Sequence, residues 1–255
     1  MISRLLASLI VIMSFEPVFA AQAQSQPRPQ RILFVGNSYF YYNNSLHNHV
    51  KALVEADQPD LGKTLEYKSA TVGGAELEHH HIEWLIQPKK IGVKKSFEWV
   101  ILAGNSADAL DVNSALRFVE TVKKFDQIIA SHGAKTALYM VHTYVAPHPK
   151  ANPNNIRKVE KMYVDVAREI GATVLPVGLA FEESYKRRPE LRLHSQQDGS
   201  HPSVYGTYLA ACVVYAKIYN KSPVGSSYDI HGQIPGDVKE FLQLVAWEVT
   251  QKNSN

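Results

Sequence analysis

The sequence predicts an α/β fold: a flavodoxin-like, doubly wound, parallel sheet of about five strands with helices on both faces. Three observations carry this expectation. Short β-branched apolar runs alternate along the chain with longer segments of helical period. Most of the strand-like runs are continuous apolar stretches rather than apolar at every second residue, as in strands covered on both faces. The 255 residues, 45% of them hydrophobic, are enough to bury a core of that size.

In chain order, the first residues have the layout of an export signal. Met1–Arg4 supply a positive charge, Leu5–Phe15 are apolar, and Val18–Phe19–Ala20 or Ala21–Gln22–Ala23 offers the small residues at which a signal peptidase cuts. The apolar stretch is too short to span a bilayer. The expectation is a signal peptide over residues 1–23, a polar spacer over 24–30 and one domain over 31–255. Such a protein is exported to the periplasm or secreted, and has no membrane span in its mature form.

Expected strands follow at Arg31–Val35, Leu65–Ala70, Trp99–Ala103, Thr136–Val141 and Thr173–Val177, each bounded by turn-forming or polar residues. Helical period is expected near Ser45–Ala56, Asn113–His132, Asn155–Ile170, Ser203–Tyr219 and Pro235–Gln251. In the second of these, Leu116, Val119, Val122, Phe125, Ile128 and Ile129 recur every three or four positions before a His132–Gly133 stop. The single cysteine, Cys212, lies in an apolar run; it excludes an internal disulfide and is expected to be a buried hydrophobe. The net charge is +3 and the 27 basic residues are dispersed, so no nucleic-acid partner is expected.

Ligands on open parallel sheets bind at the carboxyl ends of the strands, so the residues after each strand matter most. After the first comes Gly36–Asn37–Ser38, a turn that can present a serine hydroxyl or simply cap a helix. After the second, Thr71–Val72–Gly73–Gly74–Ala75 offers main-chain N–H groups beside paired glycines. After the third, Ala103–Gly104–Asn105–Ser106 brings a carboxamide to the same edge. Late in the chain, Asp198–Gly199–Ser200–His201–Pro202 sets an acid three residues before a histidine, a spacing that lets a carboxylate fix an imidazole tautomer.

These four sites, in this order, resemble the four sequence blocks of the SGNH (GDSL-like) hydrolase superfamily, over most of the chain after the spacer. The resemblance implies that Ser38 is a nucleophile, His201 its base and Asp198 the orienting acid. It implies an oxyanion hole formed by the Ser38 N–H, Gly74 and Asn105, with Gly73 an alternative to Gly74. Three positions depart from the commonest pattern: Asn37 stands where Asp is usual, and Ala103 and Ser106 differ from a Gly-x-Asn-Asp third block.

The implied activity is hydrolysis of short-chain or carbohydrate acetyl esters through an acyl-serine, with no metal and no organic cofactor. The partner is then a small-molecule or carbohydrate acyl ester. An O-acyltransferase acting on a glycan and a catalytically silent carbohydrate-binding protein are the alternatives. Tyr39, beside the serine, and His142, after the fourth strand, are expected to touch substrate. His79–His80–His81 lacks the spacing of a metal site and is expected to be a solvated loop.

Overall fold

The structure is a computed structural model and describes residues 28–253. The expected signal over 1–23 therefore lies outside the described residues. In chain order the elements are β1 (Arg31–Gly36), α1 (Ser38–Tyr41), α2 (Leu46–Asp57), α3 (Pro59–Gly62), β2 (Glu66–Thr71), α4 (Ile82–Leu85), β3 (Trp99–Leu102), α5 (Val112–Ser131), β4 (Lys135–Tyr139), α6 (Asn155–Ile170), β5 (Thr173–Leu175), α7 (Val177–Arg187), α8 (Val204–Tyr219) and α9 (Gly236–Lys252).

All five strands are parallel, in the order β2-β1-β3-β4-β5. The chain leaves β1 toward β2 and later returns to its other side as β3, so the order reverses at β1. The right-handed rule for such crossovers places α2 on one face and α5 and α6 on the other. A crevice opens at such a reversal, beyond the carboxyl ends of β1 and β3. Ile32–Val35 and Val100–Leu102 are fully buried, which is why these strands read as unbroken apolar runs.

The face of α5 that packs inward is Phe118, Val122, Phe125 and Ile129, whereas Leu116, expected on that stripe, points to solvent. Helix α8 packs against α2, α7 and α9 and is buried almost all round, from Gly206 to Ala216. Cys212 is fully buried there, and burial pushes its thiol well above the usual range, so it has little thiolate to react with.

Two expected strand ends differ by more than one residue. The fourth strand ends at Tyr139 rather than Val141, and Val177, expected in the fifth strand, is instead the first residue of α7. That helix was not foreseen. Its buried positions Val177, Ala180, Phe181 and Ser184 do have helical spacing, but Pro176 and Gly178 at its start read as turn residues.

Candidate active site

The turn after β1 is organised by Asn37. Its backbone is extended and its side chain caps α1 by accepting from the Tyr39 N–H at 3.2 Å. Its Nδ2 donates to the Gly104 carbonyl at 3.1 Å and the Ala75 carbonyl at 3.3 Å. One buried carboxamide thus joins the segments after β1, β2 and β3. A carboxylate would have no proton for either carbonyl, which accounts physically for Asn at this position. Because Asn37 does the capping, the Ser38 hydroxyl is not used locally, and its Oγ lies 2.9 Å from His201 Nε2.

The histidine is held from its other side. Asp198 Oδ2 lies 2.8 Å from His201 Nδ1, while Oδ1 accepts from the Ser200 and His201 N–H groups at 2.7 and 2.9 Å. Burial pushes the Asp198 carboxyl up. The Ser200 N–H, the imidazole and the His201 N–H together outweigh it, leaving the group below the usual carboxylate range. Asp198 is not the cap of α8; Ser203 is, its Oγ accepting from the Gly206 N–H at 3.2 Å.

Gly199 lets this loop form. It has φ +61°, and a Cβ there would lie 2.1 Å from the Val145 carbonyl oxygen, so no side chain fits. Tyr42 completes the setting by stacking flat on the imidazole, with ring centroids 4.1 Å apart and 10° between planes.

Ser38, Gly73, Gly74, Asn105 and His201 line one cavity of about 360 Å3, with Tyr41 and Tyr42 on its wall. Among the described residues, the N–H groups of Ser38 and Gly74 and the side chain of Asn105 have no hydrogen-bond partner. Gly74 adopts φ +68° with open space where a Cβ would be; Gly73 lies against the Tyr41 hydroxyl. Both line the cavity. Three larger cavities, two of about 480 and one of about 910 Å3, touch neither Ser38 nor Asn105.

Asn105 is fixed through its backbone. Asp108, 4% exposed, accepts from the Asn105 N–H at 2.7 Å. Burial, reinforced by Glu76 and Glu78 and opposed by the Asn105 N–H and Arg117, pushes this carboxyl up to about 6 from its ordinary 3.8. A carboxyl raised on folding stabilises the protein below its unfolded value, and that contribution is lost as pH rises through about 6. Asp108→Asn cannot ionise, so its melting temperature relative to wild type is expected to rise between pH 4 and pH 7. Thermal melts at both pH values check this, and a constant difference would contradict it.

The structure brings together Ser38, Gly74, Asn105, Asp198 and His201; His142, expected to touch substrate, is not among them. His142 is fully buried and lines none of these cavities, clamped between the Tyr39 ring at 4.5 Å and the Phe181 ring at 4.4 Å. It therefore cannot touch a substrate in the cavity. Tyr39 does line the cavity, but its hydroxyl is held by Ser106 and Ser200. His79 and His81 are exposed, as in a solvated loop, whereas His80 is buried against the core with its Nε2 unpaired. Sequence reading gave no role in the site to Tyr42, Ser106 or Ser200. Their one signal was adjacency, since Ser106 follows Asn105 and Ser200 precedes His201.

No protein-family model matches the chain, and no curated protein matches it. Solved structures do. A protein from Slackia heliotrinireducens assigned to the SGNH hydrolases matches with a TM-score of 0.59 and 20% identity, over 75% of this chain and 100% of its own. A DUF4886 family protein from Bacteroides uniformis matches with a TM-score of 0.66 and 15% identity, over 88% of this chain and 95% of its own. A catalytic mutant of Axe2, an acetylxylan esterase from Geobacillus stearothermophilus, matches with a TM-score of 0.58 and 16% identity, over 76% and 96%. Likeness at this level of identity defines the fold, and the chain has the fold of the SGNH hydrolases.

Proposed function

We propose that the protein is a serine esterase that hydrolyses O-acyl esters through an acyl-Ser38 intermediate. The single observation that carries this reading is the unbroken hydrogen-bonded chain from Ser38 Oγ through His201 to Asp198, at 2.9 and 2.8 Å. His201 Nε2 takes the Ser38 proton as Oγ attacks the acyl carbonyl. The oxyanion is received by the N–H groups of Ser38 and Gly74 and by the Asn105 amide, donors that have no partner among the described residues. The imidazolium returns the proton to the leaving alkoxide. Water, deprotonated by the same nitrogen, then attacks the acyl-serine, and Ser38 leaves with that proton.

Short-chain acyl groups, including acetyl on carbohydrate, are the proposed substrates. The small size of the cavity and the acetylxylan esterase among the structural neighbours support this. The amino-terminal layout supports export to the periplasm or beyond. No helix among the described residues is long and apolar enough to cross a membrane. Hydrolysis of p-nitrophenyl esters of increasing chain length, beside acetylated xylo-oligosaccharides, tests the reading. Acetyl release abolished by Ser38→Ala is expected, and no hydrolysis of any ester would contradict it.

The role of Asn105 has its own test. A donor that acts on the oxyanion works in the transition state, so Asn105→Ala is expected to lower kcat by roughly 10²–10³ with KM little changed. A destabilised variant with near-normal kcat would instead make Asn105 a structural residue.

A further inference from the structure

Every polar group of Ser200 is engaged. Its N–H donates to Asp198 Oδ1 at 2.7 Å, its carbonyl lies 2.9 Å from His142 Nε2, and its hydroxyl lies 2.9 Å from that of Tyr39. The Tyr39 hydroxyl is also 2.9 Å from Ser106 Oγ, which donates to the His142 carbonyl at 2.5 Å. Tyr39, Ser106, His142 and Ser200 thereby close a ring of hydrogen bonds under the catalytic cavity.

Elementary donor and acceptor rules give this ring one direction. Carbonyl oxygens only accept, so the single proton of Ser106 is committed to the His142 carbonyl, and Ser106 must accept from Tyr39. Tyr39, its proton committed in turn, accepts from Ser200. The Ser200 carbonyl requires a proton on His142 Nε2, leaving bare the buried and unpartnered Nδ1. Burial and the facing His194 hold this imidazole well below its usual range, so it stays neutral and the tautomer is fixed.

Three of the four ring members adjoin a residue of the candidate active site. Tyr39 follows Ser38, Ser106 follows Asn105, and Ser200 precedes His201. We propose that Tyr39 is a positioning residue, its hydroxyl locking the segment that carries Asp198 and His201 against the Ser38 turn and the Asn105 loop. The expected effect on rate rests on the esterase reading above; the effect on the His201–Asp198 hydrogen bond does not. This gives both the tyrosine and the buried His142 a task without contact between His142 and substrate.

The experiment compares Tyr39→Phe and Ser200→Ala with the intact protein, in hydrolysis of p-nitrophenyl acetate and in the low-field proton NMR signal of His201 Nδ1–H. Tyr39→Phe keeps the ring packing on His142 and removes only the hydroxyl. Each variant is expected to lose about tenfold in kcat with KM little changed, because small displacements of reacting groups are costly. The double variant should fall no further than the worse single one, since both break the same ring. The His201 signal should be lost or broadened in both. Unchanged kcat and an unchanged signal would overturn the proposal, as would activity that falls only with the folded fraction. If Tyr39→Phe does not fold, Ser200→Ala decides by the same criteria. If hydrolysis by the intact protein survives Ser38→Ala, the esterase reading fails, and the His201 signal alone decides this proposal.

Discussion

Replacing Ser38 by alanine is expected to lower kcat/KM for a short-chain ester by about 10⁴–10⁶, with the fold intact. The hydroxyl is the atom that would become acylated, and no neighbouring serine stands in for it: Ser106 and Ser200 are committed to the Tyr39 ring, and Ser203 caps α8. Removing Ser38 Oγ costs the fold little, because Asn37 rather than Ser38 caps α1. Initial rates measured beside circular dichroism and a thermal melt check both halves of the expectation. A variant with activity within tenfold of wild type would remove Ser38 from the mechanism.

The second large effect belongs to Asp198→Asn, expected to lower kcat by about 10⁴. Asp198 Oδ1 receives two backbone N–H groups, so an asparagine keeps its oxygen there and turns its NH₂ toward His201 Nδ1. That nitrogen must then accept, which puts the ring proton on Nε2, facing Ser38 Oγ. The imidazole presents a donor where it needs to accept. Because the loop's backbone bonds survive, the melting temperature should change little at neutral pH. Steady-state kinetics and a melt on the same sample separate this outcome from simple unfolding, and near-normal kcat would make Asp198 a loop anchor only.

Much of this arrangement was legible in the sequence, for identifiable reasons. Strands β1 and β3 are covered on both faces, so their apolar runs stood out, and the rule that sites form beyond strand ends pointed to Ser38 and Asn105. The Asp-x-x-His spacing was legible because three residues of loop suffice to bring a carboxylate onto an imidazole. It could not say whether Asp198 capped α8, since that depends on Ser203 Oγ reaching the Gly206 N–H. The pairing of Ser38 with His201, 163 residues apart, rested on family resemblance and appears here as a contact.

What the sequence hid was side-chain direction. His142 follows a strand like any loop residue at the site, yet its ring turns inward onto Phe181. Tyr39 adjoins the serine and lines the cavity, but its hydroxyl is held by Ser106 and Ser200. Two departures from the commonest SGNH pattern also acquire physical reasons. Asn37 donates to two carbonyls, and Ser106 both donates to one and accepts from Tyr39. Helix α7 escaped notice because Pro176 and Gly178 disguise its start.

On the proposed reading Ser38, activated by His201, is the covalent nucleophile. The most direct measurement is to treat the intact protein with a fluorophosphonate and locate the adduct by peptide mass spectrometry. One adduct is expected, on Ser38, formed far more slowly in His201→Ala. No adduct, an adduct on another residue, or labelling indifferent to the loss of His201 would contradict it.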